Sequence, residues 1–469
     1  MAEEVWMLQT KKADFKQIGA RFRIDPVTAR IIRNRGIEGE AAIDRYLNGT
    51  LDDLYDPMLL KDMERAVSIL CEAVDTGKKI RIVGDYDIDG VCSTYILLQA
   101  FERLGSDVDF EIPDRIKDGY GINESIIEQA HADGVEVILT CDNGISAFHQ
   151  VELAKKYGMT VVITDHHEVP LDGEKEKIPP ADAVIDPKQA DCPYPFPEIC
   201  GAVVAYKLVQ VLYARRGVPQ MEWLDLLEFA AIATVGDVMK LQDENRILVK
   251  YGLKKMAQTK NLGLRRLAEK NNLDLGAITA YHIGFVIGPC LNAGGRLKTA
   301  KEALALLRAQ SEEEAERLAE ELKELNDTRK DMTEQGTEAA KLQVESWYQK
   351  DKVLVVFLPE CHESLAGIIA GRLREYYQKP AIVLTRGEEA VKGSGRSIDE
   401  YHMFKKLTEV SDLLLKFGGH PLAAGLSLEE KNIDEFRRRL NENAGLTEED
   451  FKAKVWIDVP MPVGYVTER

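Results

Sequence analysis

The sequence is poor in cysteine and never places two cysteines at metal-binding spacing. Its 469 residues include seven cysteines, an odd and scattered set at positions 71, 92, 141, 192, 200, 290 and 361. Such usage offers neither a zinc pattern nor a disulfide framework and is typical of a reducing compartment. The first residues, Met1-Ala2-Glu3-Glu4-Val5, also lack the basic and apolar regions of a signal peptide. We therefore expect a cytoplasmic protein.

Long apolar runs and several common catalytic patterns are missing as well. No run approaches the roughly 18 apolar residues that a bilayer-spanning helix needs, so we expect no membrane segment. The sequence has no G-x-x-x-x-G-K-[ST] phosphate loop, no H-E-x-x-H zinc helix and no G-x-S-x-G nucleophile elbow. These absences argue against a P-loop nucleotide hydrolase, a zinc protease and a serine hydrolase.

Positive charge is in deficit over the whole chain. Lys and Arg number 61 against 79 Asp and Glu, which gives a formal net charge of -18. This balance argues against a protein that coats nucleic acid nonspecifically, although a local basic groove is compatible with it. The deficit is also uneven, because residues 311–350 hold 12 acidic and 6 basic side chains whereas residues 351–420 hold 10 of each. The neutral segment is the better place for an anion site.

Three carboxylates cluster in Val83-Gly84-Asp85-Tyr86-Asp87-Ile88-Asp89-Gly90. An apolar run from Lys79 to Val83 predicts a strand before them, and apolar residues at helical spacing from Cys92 to Leu104 predict a helix after them. Acids this close repel one another unless a cation or protons neutralise them, which favours a metal site. An EF-hand loop is excluded, because its bidentate Glu would fall on Ile96 and a strand precedes the loop.

The pattern downstream predicts an α/β protein with a doubly wound, mainly parallel sheet. Helices at about 91–104, 123–132 and 146–157 separate the predicted strands, which are Ile80 to Val83, Val108 to Ile112, Val135 to Cys141, Met159 to Thr164 and Ala183 to Ile185. Two apolar helices are predicted to follow, from Gly201 to Arg215 and from Trp223 to Val235. Before the sheet, residues 1–50 predict a helical lead-in, with Asp25 as the N-cap of a helix from Pro26 to Asn34.

A polar connector and a second, smaller α/β domain follow. Residues 302–350 predict a bridging helix with a capping box at Ser311 and Glu314 and a weak point at Gly336. We predict the domains as 1–50 lead-in, 51–301 catalytic, 302–350 connector, 351–447 substrate-binding and 448–469 C-terminal segment. Within the fourth, the predicted elements are Val353 to Phe357, Leu365 to Tyr377, Ala381 to Leu384, a glycine-rich turn at 393–395, a helix near Met403 to Leu415, a strand near Ala423 to Leu428 and a helix from Asp434 to Asn443.

Four polar groups fall at the ends of predicted elements in the catalytic domain. Besides the first cluster, they are Asp142-Asn143-Gly144, Asp165-His166-His167 and Gly236-Asp237. In a parallel sheet the first three groups would meet at one edge. Any single Asp there more commonly caps a helix or turn, and Asp165 is expected only to orient a histidine. Carboxylate and imidazole ligands together suit Mn²⁺ or Mg²⁺, and their number favours two ions bridged by a carboxylate.

Candidate anion-binding residues lie elsewhere in the chain. Ser394 and Arg396 flank glycines in Gly393-Ser394-Gly395-Arg396-Ser397, and His420 ends Gly418-Gly419-His420. Arg115 and Arg296 are further basic candidates. Hydroxyl and guanidinium groups suit phosphate oxygens, although an incidental hairpin Arg or a surface ion pair would explain each one in isolation.

At these residues the sequence resembles the DHH phosphoesterase superfamily, and within it the RecJ-type exonucleases that degrade single-stranded DNA from the 5′ end. The four groups occur in the family's order, and the resemblance extends to Gly288-Pro289-Cys290-Leu291-Asn292-Ala293-Gly294-Gly295-Arg296, Gly393-Ser394-Gly395-Arg396-Ser397 and Phe417-Gly418-Gly419-His420. Cys290 departs from this pattern, since Arg is more usual there.

The resemblance implies two divalent ions, Mn²⁺ in preference to Mg²⁺. Asp87 and Asp142 would hold one ion with Asp85 nearby, while the other would be held by Asp89, Asp142, His166 and Asp237. His167 would face the scissile phosphate. The second domain would bind the 5′ end, with the terminal phosphate gripped by Arg115, Ser394 and Arg396 and the strand contacted by Arg296 and His420.

The resemblance also implies a monomer that releases 5′-mononucleotides in repair or recombination beside a helicase and a single-strand-binding protein. Relatives usually add an OB-fold, which would begin near Ile457-Asp458-Val459-Pro460. Without one we expect cleavage of short strands to persist while affinity and processivity fall. Two alternatives stay open, a phosphodiesterase for short RNA or cyclic dinucleotides and a non-catalytic replication scaffold.

Overall fold

The computed structural model describes residues 4–461 and 463–465. The chain divides into a larger unit, residues 39–326, and a smaller unit made of the described residues up to Glu38 and from Asp327 onward. The chain passes from the larger to the smaller unit within one long helix, Glu312–Gln343. No helix in the described ranges is long and apolar enough to cross a bilayer.

The larger unit is built on a five-stranded parallel sheet, which confirms the predicted fold class. The strand order across the sheet is Val108–Glu111, Ile80–Val83, Val137–Cys141, Thr160–Thr164 and Ala183–Ile185. All four pairings are parallel. Four of the strands are almost wholly buried and read as largely apolar runs, whereas the edge strand Val108–Glu111 is half-buried and alternates apolar with acidic residues. The order reverses beside Ile80–Val83, and this switch point is where doubly wound sheets bind ligands.

Helices cover both faces of this sheet. One face packs on Met63–Asp75, Ile88–Arg103 and Gly201–Arg215, and the other on Glu124–Ala132 and Phe148–Lys156. Helix Leu227–Gly236 packs on Ile88–Arg103 and Gly201–Arg215 in the same core. The unit's remaining α-helices are Glu40–Asn48, Gln220–Leu224, Asp243–Met256, Leu262–Lys270, Ala280–His282, Gly288–Leu297 and Lys301–Leu307.

The prediction of one helix from Trp223 to Val235 is wrong. The chain forms Gln220–Leu224, breaks at Asp225 and Leu226, and resumes as Leu227–Gly236. The reason lies in burial, because the first segment is at most half-buried whereas Leu227 to Thr234 are all buried.

The smaller unit contains a mixed five-stranded sheet in the order Leu414–His420, Ala423–Leu428, Val391–Arg396, Ala381–Arg386 and Leu354–Phe357. Helix Ala366–Tyr377 packs on one face, and Met403–Thr408 and Ile433–Glu442 pack on the other. Near the chain termini, Glu4–Leu8 pairs in parallel with Ala453–Ile457. Helices Phe15–Phe22 and Pro26–Asn34 lie in the same unit, and Asp25 caps the second as predicted.

Three details of the smaller unit differ from prediction. Residues 393–395 lie inside strand Val391–Arg396 rather than in a turn. The helix at Met403 ends at Thr408, and Leu414 to His420 form a strand, because pairing with Ala423–Leu428 satisfies their backbone groups. The long helix continues through Gly336, where a Cβ would lie 2.5 Å from Cδ1 of Ile369, so glycine there permits close packing.

The capping box at the start of the long helix is only half formed. The Ser311 hydroxyl accepts from the Glu314 N–H at 3.2 Å, but the Glu314 carboxylate accepts from the Gln310 N–H instead of that of Ser311.

Candidate metal centre

The carboxyl ends of three neighbouring strands bring the predicted acids to one edge of the larger sheet. Val83 lies opposite Thr140, and Cys141 lies opposite Thr164, so the three strands end level with one another. The acidic groups begin within two residues of these strand ends. Asp237 reaches the same place from the end of helix Leu227–Gly236. The convergence that the sequence predicts for the first three groups is therefore what the structure shows.

Three overlapping sets of side chains offer metal-ligand atoms within 4.8 Å of one another. The sets are Asp85, Asp87 and Asp142; Asp89, His166 and Asp237; and Asp142, His166 and His167. Nε2 of His166 lies 3.1 Å from Oδ1 of Asp142, 3.5 Å from Oδ2 of Asp89 and 3.8 Å from Oδ2 of Asp237. Asp142 belongs to two sets, as a carboxylate between two ions would.

Backbone N–H groups fix the carboxylate of Asp89. The N–H groups of Gly201 and Ala202 donate to its two oxygens, each at 2.7 Å. These groups open the helix Gly201–Arg215, whose positive end stabilises a negative charge. A Cβ on Gly201 would lie 2.7 Å from Cβ of Asp142, so only glycine lets this helix approach so closely. One helix start therefore contacts two of the clustered acids.

Backbone N–H groups also hold Asp85 and Asp87 of the first cluster, and Asp87 caps a helix. Oδ1 of Asp87 accepts from the N–H groups of Asp89 and Gly90 at 2.9 and 3.1 Å and so caps helix Ile88–Arg103. Oδ1 of Asp85 accepts from the Gly121 N–H at 3.4 Å. The capping role that the sequence allowed for a single Asp is thus real for Asp87, and its other oxygen remains available to a cation.

The pKa values of the clustered acids are raised by burial and by one another's charge. Burial and the neighbouring Asp87 raise the pKa of Asp85 to about 8, and burial and Asp89 raise that of Asp237 to about 8. The pKa values of Asp87 and Asp142 rise for the same reasons. Carboxylates in this state hold protons near neutral pH unless a cation replaces them.

The donor set fits a hard divalent cation. Within the described residues, Oδ1 of Asp142 and Nδ1 of His166 are buried without a hydrogen-bond partner. Burial lowers the pKa of His166, which keeps its imidazole neutral and able to ligate. Five carboxylates and neutral imidazole match Mn²⁺ or Mg²⁺ better than a thiolate-preferring metal.

The structure places Asp165, which the sequence predicts as an orienting residue, in contact with His167. The buried Asp165 carboxylate accepts from the N–H groups of Ile145, His166 and His167, and its Oδ1 lies 2.8 Å from Nδ1 of His167. Burial alone would lower the pKa of His167, but the hydrogen bond and charge of Asp165 raise it to about 9. Asp165 thus holds the His167 ring, and 44% of the His167 side chain is exposed.

Tyr120 is a site residue that the sequence did not reveal. Its hydroxyl donates to the Asp142 carbonyl at 2.8 Å and lies 3.0 Å from Nδ1 of His167. The available signal was Gly119-Tyr120-Gly121, a tyrosine between two positive-φ glycines in the loop after strand Val108–Glu111. Asp186, just after Ala183–Ile185, is a second missed acid at this edge; burial and the charge of Asp165 raise its pKa to about 7.

The charges of Arg115 and Arg296 both affect the pKa of Tyr86, which lies between Asp85 and Asp87 in the sequence. The Arg115 guanidinium lies over the Tyr86 ring, 3.9 Å from its centre. Burial raises the pKa of Tyr86 to about 12, and the charges of both arginines oppose that rise. Arg296 is carried by helix Gly288–Leu297. In the same helix Cys290 is fully buried and accepts from Asn326 at 3.4 Å, so this position presents no side chain to a ligand.

The smaller unit places its predicted residues on one sheet face. Nη1 of Arg396 donates to the Ser394 hydroxyl at 3.2 Å. A Cβ on Gly367, at the start of helix Ala366–Tyr377, would meet the Arg396 guanidinium at 2.8 Å and the Ser394 hydroxyl at 2.9 Å. The strand register puts His420 opposite Ala423, which is itself opposite Arg396. Arginine, hydroxyl and helix start together form an arrangement suited to phosphate.

Two family models match the chain. Residues 79–234 match the DHH family, N-terminal domain, and residues 350–445 match the DHHA1 domain. Among curated proteins, the chain is similar to the single-stranded-DNA-specific exonuclease RecJ of Bacillus subtilis, with 38% identity over 98% of this chain and 58% of that protein. The corresponding Haemophilus influenzae protein is 35% identical over 94% of this chain and 79% of its own length.

Solved structures agree with these matches. The crystal structure of RecJ in complex with Mn²⁺ from Thermus thermophilus aligns with a TM-score of 0.83 and 30% identity, over 98% of this chain and 65% of that one. The chain thus spans less than two thirds of the length of the Bacillus subtilis and Thermus thermophilus proteins. Because a relative at 35% identity is covered over most of its own length, the chain belongs to the RecJ family of DHH proteins.

Proposed function

We propose that this chain is a metal-dependent exonuclease that hydrolyses single-stranded DNA from its 5′ end and releases 5′-mononucleotides. The observation that carries the proposal is the set of three overlapping ligand groups sharing Asp142 and His166. The relatives named as single-stranded-DNA-specific exonucleases support the substrate class. A scaffold protein would have no need of five buried or half-buried acids at one sheet edge.

The proposed ligands are Asp85, Asp87 and Asp142 for one ion and Asp89, Asp142, His166 and Asp237 for the other. Mn²⁺ is the preferred ion and Mg²⁺ the alternative, in line with the ions in the related structures. Such a pair, when bound, supplies a hydroxide nucleophile at neutral pH and stabilises charge on the attacking and leaving oxygens. The helix start at Gly201 keeps the Asp89 carboxylate in a fixed orientation for this task.

His167 is the proposed contact to the scissile phosphate. Asp165 holds Nδ1 of the ring and favours its protonated form, and Tyr120 limits the ring's rotation, so an N–H at Nε2 can donate to a phosphate oxygen. A hydrogen bond between two charged groups is about twice as strong as a neutral one. Asp165 in this proposal positions His167 and contacts neither substrate nor ion.

Ser394 and Arg396 are the proposed binders of the 5′-terminal phosphate, and Arg115 of the larger unit is a separate proposed phosphate contact. A planar guanidinium, a hydroxyl and the N–H groups of a helix start can all donate to one phosphate. Arg296 and His420 are proposed contacts to the strand. A requirement for a terminal phosphate would give the reaction its 5′-to-3′ direction.

We further propose a monomer that works in the cytoplasm, where its DNA substrate is found. Specificity for single strands implies a helicase that opens duplex DNA, and a single-strand-binding protein that keeps it open, as partners in repair or recombination.

A gel assay tests the proposed function directly. A long 5′-phosphorylated strand, labelled at one end or the other, is offered beside a dinucleotide with Mn²⁺ or with EDTA. We expect Mn²⁺-dependent release of mononucleotides from the 5′ end. The Asp142→Ala variant should lose at least about 100-fold in rate, since loss of an outer partner of a ligand already costs 10–100-fold. The matched control is Asp191→Ala, which removes an exposed acid paired with Lys61.

Cleavage of the dinucleotide alone would contradict the exonuclease reading. Unchanged activity in Asp142→Ala would contradict the metal centre.

A further inference from the structure

A second pocket in the larger unit lies away from the metal centre. It has a volume of about 540 Å³, within the usual range for small-molecule sites. Helix Ile88–Arg103 lines the pocket with Tyr95, Gln99 and Arg103, which are spaced four residues apart and so share one face of the helix. Helix Leu227–Gly236 lines it with residues of its first turn. Both helices carry clustered acids at their opposite ends. Glu228 and Asp237 are nine positions apart, so about 14 Å of helix lies between this pocket and the metal centre.

Glu228 in the pocket wall is a buried acid without a full set of partners. The side chain is 3% exposed, and its Oε1 accepts from the Thr259 hydroxyl at 2.6 Å. Within the described ranges no group donates to its buried Oε2. The helix is otherwise apolar except for one threonine, and an unsatisfied buried acceptor costs about 1–3 kcal/mol. An apolar side chain would serve packing better, so the position suits a ligand that brings its own N–H donors.

The rest of the lining indicates what that ligand is. Tyr95, Tyr213 and Phe229 are buried aromatic residues in the wall, which suits a flat ring system. Four cationic side chains also line the pocket, namely Arg103, Lys255, Lys260 and Arg308. Arg103 pairs with Glu222, Lys255 and Lys260 pair with Asp225, and Arg308 pairs with Glu102. The Lys260 side chain is 82% exposed, so it can leave Asp225 for a stronger anion such as phosphate.

We propose that this pocket binds a guanine mononucleotide, with Glu228 accepting hydrogen bonds from the base and the lining cations binding the phosphate. A carboxylate has two acceptor oxygens side by side, and the guanine edge presents two adjacent N–H donors, N1–H and the 2-amino group. Adenine, cytosine and thymine offer no such pair. Metal ions play no part in this recognition.

Calorimetric titration of the full chain in EDTA tests the proposal, with dGMP as the probe. EDTA and the Asp142→Ala background both remove binding at the metal centre. We expect one dGMP to bind per chain. The affinity for dAMP, and for dIMP because it lacks the 2-amino group, should be at least tenfold weaker. The Glu228→Gln variant should weaken dGMP at least tenfold. No binding of dGMP in EDTA, or equal affinity for dAMP, would overturn the proposal.

A second variant keeps the test decisive if Glu228→Gln fails to fold. Lys260→Ala removes an exposed cation and should weaken dGMP several-fold while leaving deoxyguanosine, which has no phosphate, unchanged. The matched control is Lys156→Ala, an exposed lysine on helix Phe148–Lys156 outside the pocket. Equal effects of Lys260→Ala on dGMP and deoxyguanosine, or of Lys156→Ala and Lys260→Ala on dGMP, would refute the proposed phosphate contact.

Discussion

Gly201→Ala adds a single methyl group at the contact between a helix start and two of the clustered acids. The new Cβ would lie 2.7 Å from Cβ of Asp142 and 2.9 Å from its Cα. Ordinary contact begins at about 3.4 Å, so the helix start must retreat by about 0.7 Å (3.4 minus 2.7). Asp142 cannot absorb this shift easily, because its backbone is held at a φ of 61° and its side chain is buried.

A retreat of this size would stretch the hydrogen bonds that hold Asp89. Both are 2.7 Å long, and adding 0.7 Å to each would take them to about 3.4 Å, near the limit of a hydrogen bond. Hydrogen bonds to a charged group contribute about 1.5–3 kcal/mol each, so losing half of one bond's strength already costs about 1 kcal/mol. Overpacking adds about 1–3 kcal/mol of destabilisation. We expect the dissociation constant for Mn²⁺ to rise at least tenfold, which corresponds to about 1.4 kcal/mol.

Mn²⁺ titration followed by thermal unfolding measures this change, and the single-strand exonuclease rate at saturating Mn²⁺ measures its effect on catalysis. The matched control is Gly284→Ala, where the added Cβ would make only an ordinary 3.7 Å contact with Val235. If Gly201→Ala binds Mn²⁺ within twofold of the unaltered chain, the helix start does not set the geometry of the acids and this reasoning fails.

Three further substitutions separate the roles of other groups. Asp165→Asn removes the charge that holds His167, so the cleavage rate should fall at least about tenfold while Mn²⁺ affinity changes little. A loss of Mn²⁺ affinity as large as the loss of rate would make Asp165 part of the ion site. Lys207→Met removes the cation that forms a 3.0 Å ion pair with the buried Glu244. The free energy of unfolding in urea should therefore fall by about 3–5 kcal/mol. An unchanged urea midpoint of unfolding would show that the pair is not buried in solution. Arg396→Lys replaces a planar guanidinium, which can donate two hydrogen bonds to one phosphate, with an ammonium group. The preference for 5′-phosphorylated over 5′-hydroxyl strands should therefore shrink at least about tenfold in a competition assay. An undiminished preference would place the phosphate site elsewhere.

The sequence predicts the larger sheet and its acidic edge well, and the reason is local. Four of its strands are almost wholly buried and most are separated by helices, so largely apolar runs mark them to within about two residues. Parallel strands end at one edge, which is enough to bring Asp85, Asp142 and His166 together without knowledge of the packing. The strand pairing alone thus accounts for most of the candidate metal centre.

Contacts between distant parts of the chain were not predictable in the same way. Glu4–Leu8 pairs with Ala453–Ile457 across more than 440 residues, and no local pattern specifies such a partner. Leu414 to His420 contains apolar residues compatible with either a helix or a strand, and pairing with Ala423–Leu428 decides the outcome. Tyr120 and Gly201 act through hydrogen bonds and clearance at the site, which depend on how loops and helices pack.

The way in which the acids are held explains why the centre suits divalent cations. The close ionic contacts of Asp89, Asp142 and Asp237 are to histidines. Backbone N–H groups hold Asp85, Asp87 and Asp89. Such donors orient a carboxylate without neutralising it, so the repulsion between these acids is relieved only by protons or a cation from solution. Because the oxygens are already in place, an ion that replaces the protons spends little of its attraction on reorganising the site.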